Sequence, residues 1–375
     1  MAVSRRNFIA AIGGGVALVG GLGAWKVTRM PQSAILPWEI DPEPLADVRL
    51  DAFRYAILAP NPHNRQPWLI RLQGDNQATL SIDLGKRLPE TDPFDRQLTI
   101  GFGTFIAVAK IAAARRGIRV DVEPFPKGEP QPRLDTRPIA RLTFSPDATI
   151  RPDPLFTQIT RRHTNRNVYT SAPTSAQLEA LQQDGAATGA QPEFLNKLRP
   201  LAVDAITLET TTHRTHMESV RLLRIGHKEI DATPDGLMLT GPMIEGTAML
   251  GMTTRESIAD PKSQSYQIGL DQLRESCGSI PAALWITTEG NSRAAQLEAG
   301  ERYVRTNLRA TALGLAMHPL SQALQEYPEM RKNYSAMREL LGLSEDQHLQ
   351  MLARVGHAEP VPPAGRWPME KHLLA

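Results

Sequence analysis

Residues 99–116 form a strongly apolar stretch in which Ile100, Phe105, Ile106, Val108 and Ile111 are spaced for a helix at the centre of a core, closed by Gly117. Flanking residues supply the strands such a helix needs. Residues 68–72 and 79–84 read as strands with Gly74 in the turn between them, and 118–122 and 139–144 read as two more. An earlier helix over 46–58, with Leu45, Val48, Phe53, Ile57 and Leu58 on one face, is stopped by Pro60 and Pro62. The second half repeats the order: a strand at 283–287, a helix over 292–312 with Leu297, Val304, Leu308 and Ala312 on one face, Gly314, and strands at 315–317 and 349–355. Residues 113–118 and 310–315 share only Ala, Gly and a branched apolar residue, so the order of elements carries the case for duplication. Between the halves the spacing predicts a long helix near 201–230. Residues 234–252 follow, rich in Gly and in Met238, Met243, Met249 and Met252; no regular element is expected there, and they read as a mobile flap.

The N-terminus reads Ser4-Arg5-Arg6-Asn7-Phe8-Ile9 and runs into an apolar, Gly-dotted segment over 8–25. Paired arginines before a weakly hydrophobic segment fit a twin-arginine (Tat) export signal, a route that carries folded proteins. The expected location is therefore periplasmic or otherwise extracytoplasmic. No Ala-x-Ala precedes Met30, so cleavage and an uncleaved membrane tether both stay open. A net charge of +2, without a basic tract carrying aromatics, argues against nucleic acid as a partner. The single cysteine, Cys277, excludes an internal disulfide, a zinc–thiolate site and an iron–sulfur cluster. The expected organisation is a leader over 1–30, a Pro-rich connector over 31–44, a first half over 45–150, and a second half over 151–375 that includes the flap and a C-terminal arm.

Four constellations carry chemistry. In Ala59-Pro60-Asn61-Pro62-His63-Asn64-Arg65-Gln66-Pro67-Trp68, prolines bracket a turn and hold amide donors and acceptors in fixed places. In Arg161-Arg162-His163-Thr164-Asn165-Arg166, two guanidinium groups flank a hydroxyl, a set able to clamp a phosphate monoester. Met317-His318-Pro319-Leu320-Ser321-Gln322 makes a sharp stop after the second core helix, and Arg366 lies in a Pro-rich C-terminal arm that must pack on something.

Together these resemble the nitroreductase family of flavoproteins, most closely the exported, Acg-like branch. The family's Ala-Pro-Ser-x-x-Asn-x-Gln-Pro-Trp motif is matched with Asn61 in place of Ser, and its Arg-[Arg/His]-Ser-x-[Arg/Lys] phosphate motif with Thr164 in place of Ser. The resemblance implies an α+β, nitroreductase-like fold with central antiparallel or mixed sheets flanked by helices. Ordinary members carry the phosphate motif first, in a shorter domain that dimerises around its flavins. Here the order is inverted, which by the resemblance leaves each half with one part of a site. That implies tandem halves forming an intrachain pseudo-dimer, monomeric, with one FMN. By resemblance, Arg162, His163, Thr164 and Arg166 serve the phosphate, ribityl chain and flavin edge, with Arg366 closing from the arm. The Pro319-Leu320-Ser321 backbone would face the ring near N5, and Pro60, Asn61, Pro62 and Asn64 would reach across from the first half. No catalytic acid, base or nucleophile is implied.

Competing patterns are weak. His213, His216, Glu218 and His227 lack a metal-binding spacing, so no metal is expected. Gly101-Phe102-Gly103 lacks the third Gly of a dinucleotide loop, and no Gly-x-Ser-x-Gly elbow occurs. The expected function is an exported FMN-dependent oxidoreductase that reduces small organic acceptors such as nitro compounds or quinones. A protein that holds FMN without rapid turnover is the alternative, since nicotinamide donors are scarce outside the cytoplasm.

Overall fold

The computed structural model describes residues 29–375; the twin-arginine segment lies outside them. Helix α1 (Val48–Ala56) begins at Asp47, whose carboxylate accepts from the Arg49 N–H at 2.8 Å. Strands β1 (Trp68–Gln73) and β2 (Gln77–Ile82) pair antiparallel, and β2 places Ala78, Leu80 and Ile82 inside and the residues between them at half-buried positions. Helix α2 (Arg96–Ala114) is the apolar helix expected from the sequence. By length and composition it could cross a membrane, yet 89% of its apolar window is buried within the protein, so it is a core helix. Strands β3 (Ile118–Pro124) and β4 (Ala140–Pro146) complete an antiparallel sheet of order β1-β2-β4-β3.

The second half begins with α3 (Ser175–Gln182), β5 (Ala187–Gly189), α4 (Pro192–Thr211), α5 (His213–Arg221), β6 (Leu223–Ile225) and α6 (Gly226–Ala232). It continues through β7 (Leu237–Leu239), α7 (Pro242–Met249), α8 (Arg255–Ala259), α9 (Gln264–Gly278), β8 (Ala282–Glu289) and α10 (Arg293–Ala312), and ends with β9 (Ala316–Pro319), α11 (Arg331–Leu340) and β10 (Gln347–Gly356). The second sheet is ordered β5-β8-β10-β9, the same antiparallel connectivity as the first, so the chain is α+β with two equivalent sheets.

The two core helices cross where each has lost its side chain. A Cβ at Gly103 would lie 2.0 Å from the Leu297 carbonyl oxygen, and one at Gly300 would lie 2.1 Å from that of Ile100. One sequence offset relates Ile100 to Leu297, Gly103 to Gly300, Arg96 to Arg293 and Gly117 to Gly314. The arginines at the helix starts are exchanged reciprocally. Arg96 donates to the Gln350 and Leu324 carbonyls at 2.8 Å each, while Arg293 donates to those of Pro130 (3.1 Å) and Pro132 (2.9 Å). Leu297, Val304 and Leu308 of α10 also complete the first core.

Two expectations are corrected. The helix expected over 201–230 is three helices: Thr212 leaves helical geometry after the β-branched run 210–212, and Gly226 adopts φ 78° to restart the chain as α6. Residues 234–252 are not irregular. β7 pairs parallel with β6, and Pro242 at the first turn opens α7. The segment leaves Met243, Met249, Leu250 and Met252 exposed, while the Met238 sulfur accepts from the Gly365 N–H. The connector is held rather than loose: Asp231 accepts from the Gln32 and Ala34 N–H groups at 2.9 Å each. The C-terminal arm returns to the first sheet, where the Ile70 N–H donates to the His372 carbonyl and the Leu374 N–H to that of Ile70, at 2.7 and 2.8 Å.

Candidate functional site

The Pro-bracketed turn ahead of β1 is the most strained backbone in the first half. His63, Asn64 and Gln66 all take positive φ (48°, 52° and 50°), a region that side chains other than Gly rarely occupy. It is over-determined by its hydrogen bonds. Asn61 accepts from the Gln66 N–H at 2.7 Å and donates to the Ala59 carbonyl at 3.2 Å, and the Thr104 hydroxyl of α2 donates to the Pro60 carbonyl at 2.6 Å. Pro62 lies over Gly101, where a Cβ would come within 3.3 Å of its ring.

Asn64 and Gln66 bind the turn to distant chain. Asn64 donates to the Gly365 carbonyl (3.0 Å) and accepts from Arg366 (2.7 Å); Gln66 donates to the Pro234 carbonyl and accepts from the Trp367 N–H, both at 2.8 Å. The amide groups of Asn61 and Asn64 are thus engaged within the chain. Replacing Asn64 by Ala removes one acceptor from Arg366 Nη1 and one donor from the Gly365 carbonyl, leaving these two groups only each other at 2.9 Å and a long contact from Gln66. A loss of about 1–3 kcal/mol is expected, read as a lower urea midpoint.

The arginine motif is anchored within its own half and reaches the other at one carbonyl. Thr164 bridges Met317 at the start of β9, and the Asn165 N–H donates to the Met317 carbonyl at 3.2 Å. Arg162, only 3% exposed, donates to Asn307 of α10 and to the Leu58 carbonyl past the end of α1, both at 3.2 Å. Arg366 converges on the same carbonyl from the C-terminal arm. All five of its N–H groups are taken, by the carbonyls of Ile57, Leu58, Ala59 and Gly365 and by Asn64. It therefore contributes charge and closure rather than a free donor. Trp38 of the connector fills the space between them, edge-on to His163 at 4.8 Å and 5.1 Å under the Arg366 guanidinium.

Arg166 differs. Its side chain reaches solvent, and among the described residues its guanidinium has no hydrogen-bond or ion-pair partner. Surrounding protein nonetheless desolvates it enough to lower its pKa. Accessible yet desolvated describes a side chain lining a concavity. His63 of the first half and His318 of β9 both feel its charge, so the two halves meet at Arg166.

The electrostatics of the cluster are one-sided. Arg162, Arg166, Arg354 and Arg366 meet no carboxylate among the described residues. Burial lowers Arg162 to about 10, and burial with the neighbouring Arg162 lowers Arg366 to about 9. His63 falls to about 4 through burial, Arg166 and Arg65, and His163 to about 4 through burial, Arg162 and Arg366. The Tyr303 phenol, beside Arg162 and Arg166, is raised by burial and stays a donor, with no hydrogen-bond partner among the described residues. Four cations in a desolvated space, with unspent donors, are built for an anion.

A pH signature follows. Unfolded histidines take up protons near 6.5, whereas His63 and His163 resist until about 4 in the folded chain. The unfolded state therefore binds more protons between those values, and stability falls as pH drops from about 6.5 to 4, by up to ~1.4 kcal/mol per pH unit for each. Urea titrations across that range should show the fall, and a bound dianion should flatten it by compensating the arginines.

Of the residues expected from the sequence, Arg162 and Arg366 converge on the 57–66 turn that Asn61 and Asn64 pin and Pro60 and Pro62 shape, whereas His163 packs on Trp38 beside them and Thr164 lies against Met317 of β9. At Pro319-Leu320-Ser321 the Leu320 N–H is spent on the Leu352 carbonyl at 2.8 Å and Pro319 has none, leaving Ser321 at the start of the 3-10 turn Ser321–Leu324. Sequence reasoning missed Tyr303 and Asn307, one helical turn apart on α10, and Arg354 inside β10. A charge within an apolar strand and a polar pair on a core helix were the available signals. The histidines of the metal pattern are dispersed: His216 bonds the Ile258 carbonyl, Glu218 accepts from Glu90 and Thr91, and His227 pairs with Glu245.

No family model matches the sequence. A protein of Mycobacterium tuberculosis (strain ATCC 25618 / H37Rv) provisionally named as the NAD(P)H nitroreductase Rv3131 is 29% identical over 338 residues, spanning 84% of this chain and 90% of its own. A second protein of that strain, provisionally named as the NAD(P)H nitroreductase acg, is 24% identical over 345 residues, spanning 87% and 95%. Among solved structures, a nitroreductase with bound FMN from Desulfitobacterium hafniense overlaps 58% of this chain and 96% of its own, at 12% identity and a TM-score of 0.36, a likeness too loose to bear on the geometry.

Proposed function

Because the chain belongs to the nitroreductase family, in its Acg-like branch, we propose that it is an exported, FMN-dependent oxidoreductase that reduces small organic acceptors such as nitro compounds or quinones. The observation that carries this reading is the carboxylate-free meeting of Arg162, Arg166 and Arg366 with a strained turn from the other half. The donors fit a phosphate monoester: among the described residues Arg162 keeps three N–H groups, Arg166 keeps five, and the Thr164 and Tyr303 hydroxyls have no hydrogen-bond partner. Bound FMN supplies the two-electron chemistry. The chain's own part is to fix the phosphate end, to keep the arm closed over the turn through Asn64 and Gln66, and to surround the site with a positive field that favours added electron density.

The same reading takes residues 45–150 and 151–375 as two halves of a fused pseudo-dimer with one site. The shared connectivity and reciprocal Arg96 and Arg293 contacts support it. The halves have diverged at the position that matters. Asn307 meets Arg162, whereas its counterpart Lys110 is spent on an ion pair with Glu301 at 2.7 Å, and Glu301 is the counterpart of Thr104. One FMN per chain follows. Export rests on the paired arginines of the N-terminal segment, with the location periplasmic and a membrane tether left as a variant of it.

Stopped-flow mixing of the purified yellow protein with NADH and NADPH tests the activity. Bleaching of the flavin band within seconds, restored by a quinone or nitroarene, is the expected result. Retained colour with both donors would make the chain a flavin holder, and a colourless chain that refuses FMN would overturn both readings.

A further inference from the structure

We infer that His318 is a further donor of the flavin clamp, fixed in its Nε2–H tautomer by Arg354. This rests on the flavin reading above. His318 stands in β9 directly opposite Arg354 of β10. Arg354 is 0% exposed, and its Nε–H donates to His318 Nδ1 at 3.1 Å. A guanidinium has donors only, so Nδ1 must be the acceptor and the neutral ring must carry its proton on Nε2.

Arg354 is not free to turn away. Its other N–H groups donate to the Ser276 hydroxyl at 2.9 Å and the Ser279 carbonyl at 3.2 Å, and its guanidinium lies 3.9 Å over the Tyr169 ring. A second proton on the imidazole would meet the Arg354 N–H head-on. Burial, Arg166 and Arg354 accordingly hold the His318 pKa well below its ordinary value. The ring is a neutral donor that titration does not switch off.

The donor end is the unexplained part. His318 is 7% exposed, and its Nε2 has no partner among the described residues, yet it is not among the sealed, unsatisfied atoms, so it keeps an opening. What borders it is the clamp. Arg166 acts on the ring, and Thr164 is bridged to the adjacent Met317. A donor held in one tautomer beside a carboxylate-free arginine cluster is arranged to meet an oxygen of the bound FMN, its phosphate or ribityl chain. It also gives a reason for a bare cation inside β10: Arg354 is a positioning residue that acts through His318.

The test is long-range 1H–15N spectroscopy of histidine-labelled full-length protein at pH 7, with and without FMN, beside FMN titrations of variants. His318 should show the neutral Nε2–H pattern in both states, with its Nε2 resonance displaced when FMN binds. H318F should bind FMN about tenfold to a hundredfold more weakly, while H318Q, which offers an acceptor and a donor on one arm, should stay within about threefold of the parent. Arg354→Met should leave the protein folded enough to bind FMN but scramble the tautomer signal. A proton found on Nδ1, an Nε2 resonance unmoved by bound FMN, or an H318F variant with parental affinity would each overturn the role of His318 while leaving the flavin reading standing. A chain that takes up no FMN at all would overturn both.

Discussion

Exchanging Arg162 and Arg166 together for Ala is expected to yield a folded, colourless protein. Each guanidinium should contribute a charge-assisted contact to the phosphate worth about 2–5 kcal/mol on truncation, so the pair should weaken FMN binding by more than about a thousandfold. The effect on the apoprotein should run the other way. Arg162 is a buried cation facing only Asn307 and a carbonyl, with Arg366 beside it, and burial has already lowered its pKa to about 10. Removing it relieves that repulsion, and Arg166 has no hydrogen-bond or ion-pair partner among the described residues to lose. A melting curve of the apo variant at or above the parent, together with lost flavin fluorescence quenching, is the paired signature of a binding site held at a cost to stability. Undiminished yellow colour in the double variant would refute the clamp.

The second large effect concerns the seam between the halves. Gly300→Ala would place a Cβ 2.1 Å from the Ile100 carbonyl oxygen and 2.9 Å from Gly103 Cα; Gly103→Ala would meet the Leu297 carbonyl at 2.0 Å. These are backbone atoms of a packed helix, with no rotamer to give way, so α2 and α10 would have to move apart along their whole contact. Each substitution should cost at least about 3 kcal/mol and lower soluble yield. Gly269 in α9 is the control: a Cβ there meets nothing within 4 Å and its φ is ordinary, so Gly269→Ala should stabilise the fold by about 0.5–1 kcal/mol, read as a higher urea midpoint. A Gly300→Ala variant as stable as the parent would show that the helices do not need their close crossing.

What the sequence disclosed depended on how local the cause was. The core helix before Gly117 was legible, and so was a strand expected over 79–84 and found two residues earlier at 77–82, because burial period and turn residues sit within each segment. The break at Thr212 was not, because three threonines are tolerable in a helix and only packing decides where the chain leaves it. The regular structure of 237–249 was hidden by its glycines; its strand exists because β6 offers a parallel edge, a partner that no single segment announces. At the site, the Pro/Asn turn and the arginine motif were visible as residue patterns. That Asn64 would be engaged by the Gly365 carbonyl and Arg366, or that Arg354 would face His318, depends on chain brought together from far apart in sequence.

The hydrogen bonds from Ile70 to His372 and from Leu374 to Ile70 bear on how the molecule is made. Arg366, which braces the turn, lies just upstream of those final residues. Until they dock on β1, the turn lacks its brace. Uptake of a coenzyme should therefore wait on the docking of residues 366–374, and deleting that stretch should leave a folded first sheet that no longer retains what the arginines would hold.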